Sequence, residues 1–247
     1  MIRLDKYLAD CGIGTRSEVK KYIKSKLITV NEELVSKPEV KIDENKDVVC
    51  FKGERIVYEK YVYYLFHKPA GCVTAKCDNL HKTVMDYFPE DISKDVAPVG
   101  RLDLDTEGLL LLTNDGALTH HLLSPTHHIP KTYYAVLDKE VPAEAVELFK
   151  NGVDIGDDKL CLPAELVILA QDNENCIIGT TEHSDNKKYA ATLTIHEGRF
   201  HQVKRMFEAV GCTVTYLKRL SMGSLTLGVL NVGEYRRLTV DEISSLR

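Results

Sequence analysis

An α+β fold in two parts is predicted for this 247-residue chain: a small N-terminal module over residues 1–55, then a larger domain over 61–247 built on a large mixed or antiparallel sheet. Three observations lead there. The first sixty residues place two short helix patterns before a strand. Residues 61–247 alternate strand-like and helix-like stretches with no internal repeat. The run Leu109–Leu112 is too apolar for a surface loop and reads as a buried strand.

In chain order, Leu4, Tyr7 and Leu8 fall at helical spacing, and Cys11-Gly12 ends that helix. Thr15 and Glu18 stand at the spacing of a capping box, in which each side chain satisfies a free amide of the other residue. The helix that follows puts Val19, Tyr22, Ile23 and Leu27 on one face, and Arg16, Lys20 and Lys24 recur every four residues as a cationic stripe on another. A short ITV strand, an NEE turn and an alternating DVVCFKG segment complete the module. Residues 53–60 are charged, lack periodicity and read as a linker.

Beyond it, YVYYLFHKPAG is a strand run ending in a Lys-Pro-Ala-Gly turn. Strands are predicted at 63–67, 108–113, 132–138, 165–170, 189–196, 213–217 and 225–227, and helices at 82–88, 116–123, 142–150 and 199–210. In the last helix Val203, Met206, Phe207 and Val210 form the buried stripe, which Gly211 terminates.

Apolar content of 44% and charged content of 28% are ordinary for a globular protein. No apolar stretch reaches bilayer-crossing length, and MIRLDKYLADCG lacks the apolar core of a signal peptide, so a cytoplasmic location is expected. Seven cysteines at 11, 50, 72, 77, 161, 176 and 212 make no CxxC pair, which argues for reduced, structural thiols and against a zinc ribbon or disulfide framework. Adjacent histidines at 120–121 and 127–128 lack acidic or cysteine partners at ligand spacing, so no metal is expected, and surface exposure or phosphate contact is the better reading. The net charge of −5 conceals segregation: residues 1–30 carry seven Lys/Arg against three Asp/Glu, and 196–222 carry five against two, whereas 131–170 carry four against eight. Phosphate contacts are made by local patches, so the total does not rule out a nucleic-acid partner.

The most informative run is VGRLDLDTEGLLLLTNDG, residues 99–116. It sets Arg101, Asp103 and Asp105 at the entry of a buried strand, a rigid mount for a chemically active carboxylate. A cap or turn role for Asp103 fits the spacing equally well. The DxDx(T/V) nucleophile of phosphate-transferring dehalogenase-type enzymes needs Thr or Val where Glu107 stands, and no glycine and closing glutamate complete an EF-hand.

The order GRLD, then DT and GLLLLT, resembles the signature of the pseudouridine synthases, and within them the RsuA-type branch acting on ribosomal RNA. RLDKYLA, TRSEVKKYI and ITVN, over residues 2–48, resemble the alpha-L RNA-binding module of a small-subunit ribosomal protein and of tyrosyl-tRNA synthetases. Two departures are visible: Thr15 stands where serine is usual, and no glycine lies near Leu27.

The resemblance implies that Asp103 is the catalytic residue, that Tyr133 of IPKTYYAVL lies in the active site, and that Lys204 of HEGRFHQVKRMFEAVGC pairs with the aspartate. Strand alternation sends Tyr133 and Tyr134 to opposite faces, so the ring of Tyr133 could stack on uracil with its hydroxyl near C5. Related branches carry arginine where Lys204 stands. A strand tyrosine in the core and a surface lysine are the plain alternatives. The target base must leave its stack, and Arg101 would fill the vacated space or grip a flanking phosphate, unless it pairs with Asp105 or Glu107. Arg16, Lys20 and Lys24 on the module, with Arg199, Arg205, Lys218 and Arg219, are expected to contact RNA. The reaction exchanges a C1′–N1 bond for a C1′–C5 bond without redox change, so no cofactor is expected. KTY and GVDIGDDKLCLPAEL look more like the small-subunit 16S rRNA enzymes, which implies rRNA within a small-subunit assembly intermediate as partner and a monomeric enzyme. The alternatives are a large-subunit rRNA enzyme and an RNA-binding assembly factor without catalysis.

Overall fold

Short β1 (Ile2–Arg3) leads directly into helix α1 (Leu4–Asp10), and an extended Thr15 opens α2 (Arg16–Lys24). Thr15 accepts from the Glu18 amide while Glu18 accepts from the Thr15 amide, so the capping box forms as predicted. The computed structural model describes residues 1–169 and 189–247, so residue 170 of the predicted strand 165–170 and Cys176 lie outside the described residues. Among the described residues the chain divides into two units, Met1–Tyr61 and Val62–Arg247.

In the first unit β2 (Ile28–Val30), β3 (Glu33–Leu34), β4 (Lys41–Ile42), β5 (Val49–Phe51) and β6 (Glu54–Ile56) follow the helices. Four of these strands form a sheet in the order β3-β2-β5-β6, and β4 pairs with β1. Leu4, Leu8, Val19 and Ile23 from the helices pack against Ile28, Ile42 and Val49 from the strands. The predicted linker at 53–60 contains β6. Lys52 and Gly53, both at positive φ (52° and 87°), make a two-residue turn that folds Glu54–Ile56 back on β5. Charged residues on an exposed edge strand hide this hairpin from a hydrophobicity pattern.

The missing glycine near Leu27 has a structural counterpart. Lys26 ends α2 with φ 58°, and its amide donates to Ile23 while the Leu27 amide reaches Tyr22. A side chain in the left-handed region costs about 1 kcal/mol. Lys26→Gly should therefore stabilise the first unit by about 0.5–1 kcal/mol. Slower amide exchange across α2 would show it, and unchanged exchange would refute it.

The second unit contains β7 (Tyr63–Lys68), α3 (Glu90–Ser93), β8 (Ala97–Pro98), β9 (Glu107–Thr113), α4 (Gly116–Leu123), β10 (Lys131–Leu137), α5 (Ala145–Asn151), β11 (Glu165–Leu169), β12 (Tyr189–Ile195), α6 (Gln202–Ala209), β13 (Val214–Met222), β14 (Leu225–Thr226), β15 (Tyr235–Arg237) and α7 (Val240–Ser245). Among the described residues these form a nine-stranded mixed sheet in the order β11-β12-β10-β13-β9-β7-β15, with β14 on β13 and β8 on β9. Its pairs are antiparallel except β13 with β9. The helix predicted at 82–88 is only a 3-10 turn, Val84–Tyr87, because Thr83 and Asp86 cap it and Pro89 follows at once. The strand predicted at 213–217 runs on to Met222.

Both sheet faces are covered, which explains the unbroken Leu109–Leu112 run. Leu109 and Leu111 join one core with Leu118, Leu122 and Met222, while Leu110 and Leu112 join the other with Phe66, Tyr133, Met206 and Phe207. Gly108 (φ 118°) lies so close to β13 that a Cβ would stand 2.3 Å from the Arg219 carbonyl oxygen. Gly108→Ala combines left-handed strain with backbone overlap, and should cost about 3 kcal/mol or more. A thermal midpoint at least about 6 °C lower would register that.

Helix α7 carries a pH-sensitive cap. Hydrogen bonds from Arg236 and the charge of its guanidinium, with the Thr239 amide, hold Glu242 down to about 2. The folded value lies below the unfolded one, so this stability is present above the usual glutamate value of about 4.3 and is lost as pH falls toward 2. Arg236→Gln should flatten that part of the stability profile between pH 5 and 3, as a thermal-melt series would reveal.

Candidate active site

Asp103 sits in the tight turn that feeds β9, and that turn is held from below. Lys68, at the end of β7 and fully buried, donates from Nζ to the carbonyls of Asp103 (3.0 Å), Thr106 (2.9 Å) and Pro69 (3.0 Å). The Thr74 hydroxyl donates to the Leu102 carbonyl and accepts from its amide, and the Thr106 amide closes the turn on the Asp103 carbonyl. Leu102 is buried in the core, so the backbone on either side of the carboxylate is fixed.

The carboxylate borders a cleft of about 450 Å³. Tyr133 lines this cleft and is buried, whereas Tyr134, one residue on, packs edge-on to Tyr216 on the opposite face. Two basic side chains of the α6 region flank Asp103: His201 Nε2 at 3.6 Å from Oδ1 and Lys204 Nζ at 3.7 Å from Oδ2. The short contacts of Lys204 go instead to Asp105, at 2.6 and 2.8 Å. The expected pairing with Asp103 is thus the longer of two contacts. Asp105 is the more exposed carboxylate, and a less constrained side chain turns readily onto the ammonium. Burial alone would raise the Asp105 carboxyl, but Lys204 holds it below the usual carboxylate range.

The remaining cations take varied places. Arg101 is exposed at the cleft and has no ion pair among the described residues, and Asp105 and Glu107 are engaged by Lys204 and by His67 with Lys218 respectively. Arg199 is bound to Glu197 and to the carbonyls of Lys159 and Leu160, and Arg205 to Asp157 and the Ile155 carbonyl. Both therefore clamp the 155–160 loop onto α6 rather than presenting free guanidinium groups to a groove. Lys218 and Arg219 are buried in β13, so an exposed phosphate-contacting role for them has no geometric support. Arg16, Lys20 and Lys24 are exposed on the first unit.

Sequence reasoning missed Lys68, Thr74, Phe200 and His201. A lysine ending a strand of six buried residues was the available signal for the first. Helix α6 starts at Gln202 rather than at 199, because His201 takes φ 48° and turns the chain. Phe200, 68% exposed, stacks on the His201 ring at 3.8 Å on the cleft rim. Among the described residues no group of three or more His, Cys, Asp and Glu is arranged to hold a metal ion, and no helix is long and apolar enough to cross a membrane. The rings of His121 and His127 lie against each other at a tilt, with centroids 4.1 Å apart.

A rigidly mounted carboxylate, a buried tyrosine and a lysine ammonium thus meet at one cleft on the mixed sheet, a constellation suited to an enzyme. The chain belongs to the RNA pseudouridylate synthase family, whose model matches residues 62–209, and the S4 domain matches residues 2–48. It is 37% identical to the ribosomal small subunit pseudouridine synthase A of Vibrio cholerae, over 99% of each chain. It is 36% identical to the ribosomal large subunit pseudouridine synthase B of Bacillus subtilis, over 100% of this chain and 96% of that one. A crystal structure of a pseudouridylate synthase superposes with a TM-score of 0.67 at 35% identity, covering all of both chains.

Proposed function

We propose that this isomerase converts a uridine of small-subunit ribosomal RNA to pseudouridine, acting as a cytoplasmic monomer on an assembling subunit. The observation that carries the reading is the Asp103 carboxylate at the edge of the cleft, between His201 and Lys204, with Tyr133 inside. Asp103 meets the anomeric carbon as the C1′–N1 bond breaks, either as nucleophile or by stabilising a cationic sugar. Tyr133 stacks against the uracil ring. Exposed Arg101 fills the space left by the everted base or grips the adjoining phosphate, and Phe200 offers a face to a neighbouring base. The stripe of Arg16, Lys20 and Lys24 holds RNA phosphates. Relatives named for small and for large subunits are equally similar, so the subunit preference rests on KTY and the segment GVDIGDDKLCLPAEL.

The test is tritium release from C5-labelled uridine in fragments of small- and large-subunit rRNA, with site-resolved mapping in cells lacking the protein. Release from small-subunit RNA supports the reading. Release from large-subunit RNA alone reassigns the substrate, and tight binding without release from either makes the protein an assembly factor.

A further inference from the structure

Two buried cations line the cleft, and among the described residues neither makes an ion pair with a carboxylate. Lys131 precedes Tyr133 by two residues on β10, so both point to the same face, and Lys131 is only 8% exposed. Arg219 lies on β13 in register with Tyr133 and is 2% exposed. Lys131 Nζ donates to the Ile129 carbonyl at 3.0 Å, and Arg219 Nε donates to the Leu109 carbonyl at 2.7 Å. Arg219 Nη2 is buried and has no hydrogen-bond partner among the described residues. Burial, and then the charge of Arg219, push the Lys131 ammonium down from its usual value. Unpaired buried cations cost stability, and such costs concentrate at functional sites.

The anion they await is constrained by depth and by timing. A phosphodiester stays linked to the flanking nucleotides and remains near the cleft mouth, whereas an everted base enters furthest. Lys131 and Arg219 flank Tyr133, the residue placed against that base. Uracil is neutral in the substrate. When the C1′–N1 bond breaks, the electron pair stays with the ring and its charge spreads over N1, O2 and O4, while the sugar carbon becomes electron-poor opposite Asp103. When C5 bonds to C1′ the ring is neutral again, and it stays neutral as C5 gives up its proton to solvent and N1 takes one up. The balance needs no other reactant.

We propose that Lys131 and Arg219 form a preorganised anion site for the detached uracil ring, stabilising its carbonyl oxygens between bond cleavage and reattachment. The inference rests on the uridine-isomerising reading above and assigns the opposite end of the same reaction. Donors fixed where charge develops act on the transition state more than on substrate binding.

The test compares full-length wild type, Lys131→Met and Lys131→Arg under single-turnover conditions at saturating rRNA fragment. Lys131→Met should lower the rate about 100-fold, leave RNA Kd and its salt dependence unchanged, and leave the thermal midpoint no lower. Lys131→Arg should recover a large part of the rate. RNA carrying 5-fluorouridine, whose detached ring holds negative charge more easily, should suffer a much smaller loss in chromatographic disappearance of the nucleoside. A folding defect would instead slow both substrates equally, and that result overturns the proposal. So does a weaker Kd with a salt slope lower by about one and an intact rate, which is the signature of a phosphate contact. If wild type itself releases no C5 tritium, the parent reading fails. If wild type is active and Lys131→Met matches it, this inference alone fails.

Discussion

Asp103→Asn is expected to fold like the parent chain and to lose uridine turnover by about 10³-fold or more. The substitution is isosteric, and the side chain is 31% exposed, so the structural cost stays within about 0.5 kcal/mol. What disappears is negative charge beside the Lys204 ammonium, facing the space where the ribose would sit. An amide offers the anomeric carbon neither a competent nucleophile nor a compensating charge. The Lys204 ammonium would then face a neutral group, which further disfavours an electron-poor sugar. Single-turnover tritium release together with a thermal melt separates the two effects. Retention of turnover within about tenfold of wild type would remove Asp103 from the chemistry.

Lys68→Met should have the largest effect on stability. The ammonium is fully buried and satisfies carbonyls of Pro69, Asp103 and Thr106, with Leu104 at 3.4 Å. Methionine fills similar volume but leaves these acceptors without their charged donor. Losing such a hub costs about 3–5 kcal/mol, and a thermal midpoint lower by about 6–15 °C follows for a domain of this size. Activity should fall as well at temperatures where the variant is folded, because the turn carrying Asp103 loses its anchor and the carboxylate its fixed aim. Lys68→Arg offers a fork where a point donor sits among four carbonyls, and should rescue neither property. A Lys68→Met protein melting with wild type would mean that the turn is held by Thr74 and Leu102 alone.

Much of the molecule was legible from local pattern. The Thr15–Glu18 capping box, the Gly116–Leu123 helix, the buried Leu109–Leu112 strand and the alternation that turns Tyr133 inward are properties of a few consecutive residues. They depend on backbone geometry and side-chain period, which the chain carries wherever it is placed. The β5–β6 hairpin escaped notice because its turn, Lys52-Gly53, lacks the usual asparagine or aspartate and its second strand is charged.

The amino-acid order alone placed Asp103 at the entry of a buried strand and sent Tyr133 and Tyr134 to opposite faces. Tertiary structure alone decided the partners of the cations. Lys204 meets Asp105 across 99 residues, Arg219 reaches the Leu109 carbonyl across 110, and Arg199 and Arg205 are spent on the 155–160 loop. A charged side chain looks the same in sequence whether exposed, paired or buried. Its role is set by which strands become neighbours, and the approach of β9 to β13 at Gly108 is a property of the packed sheet rather than of either segment.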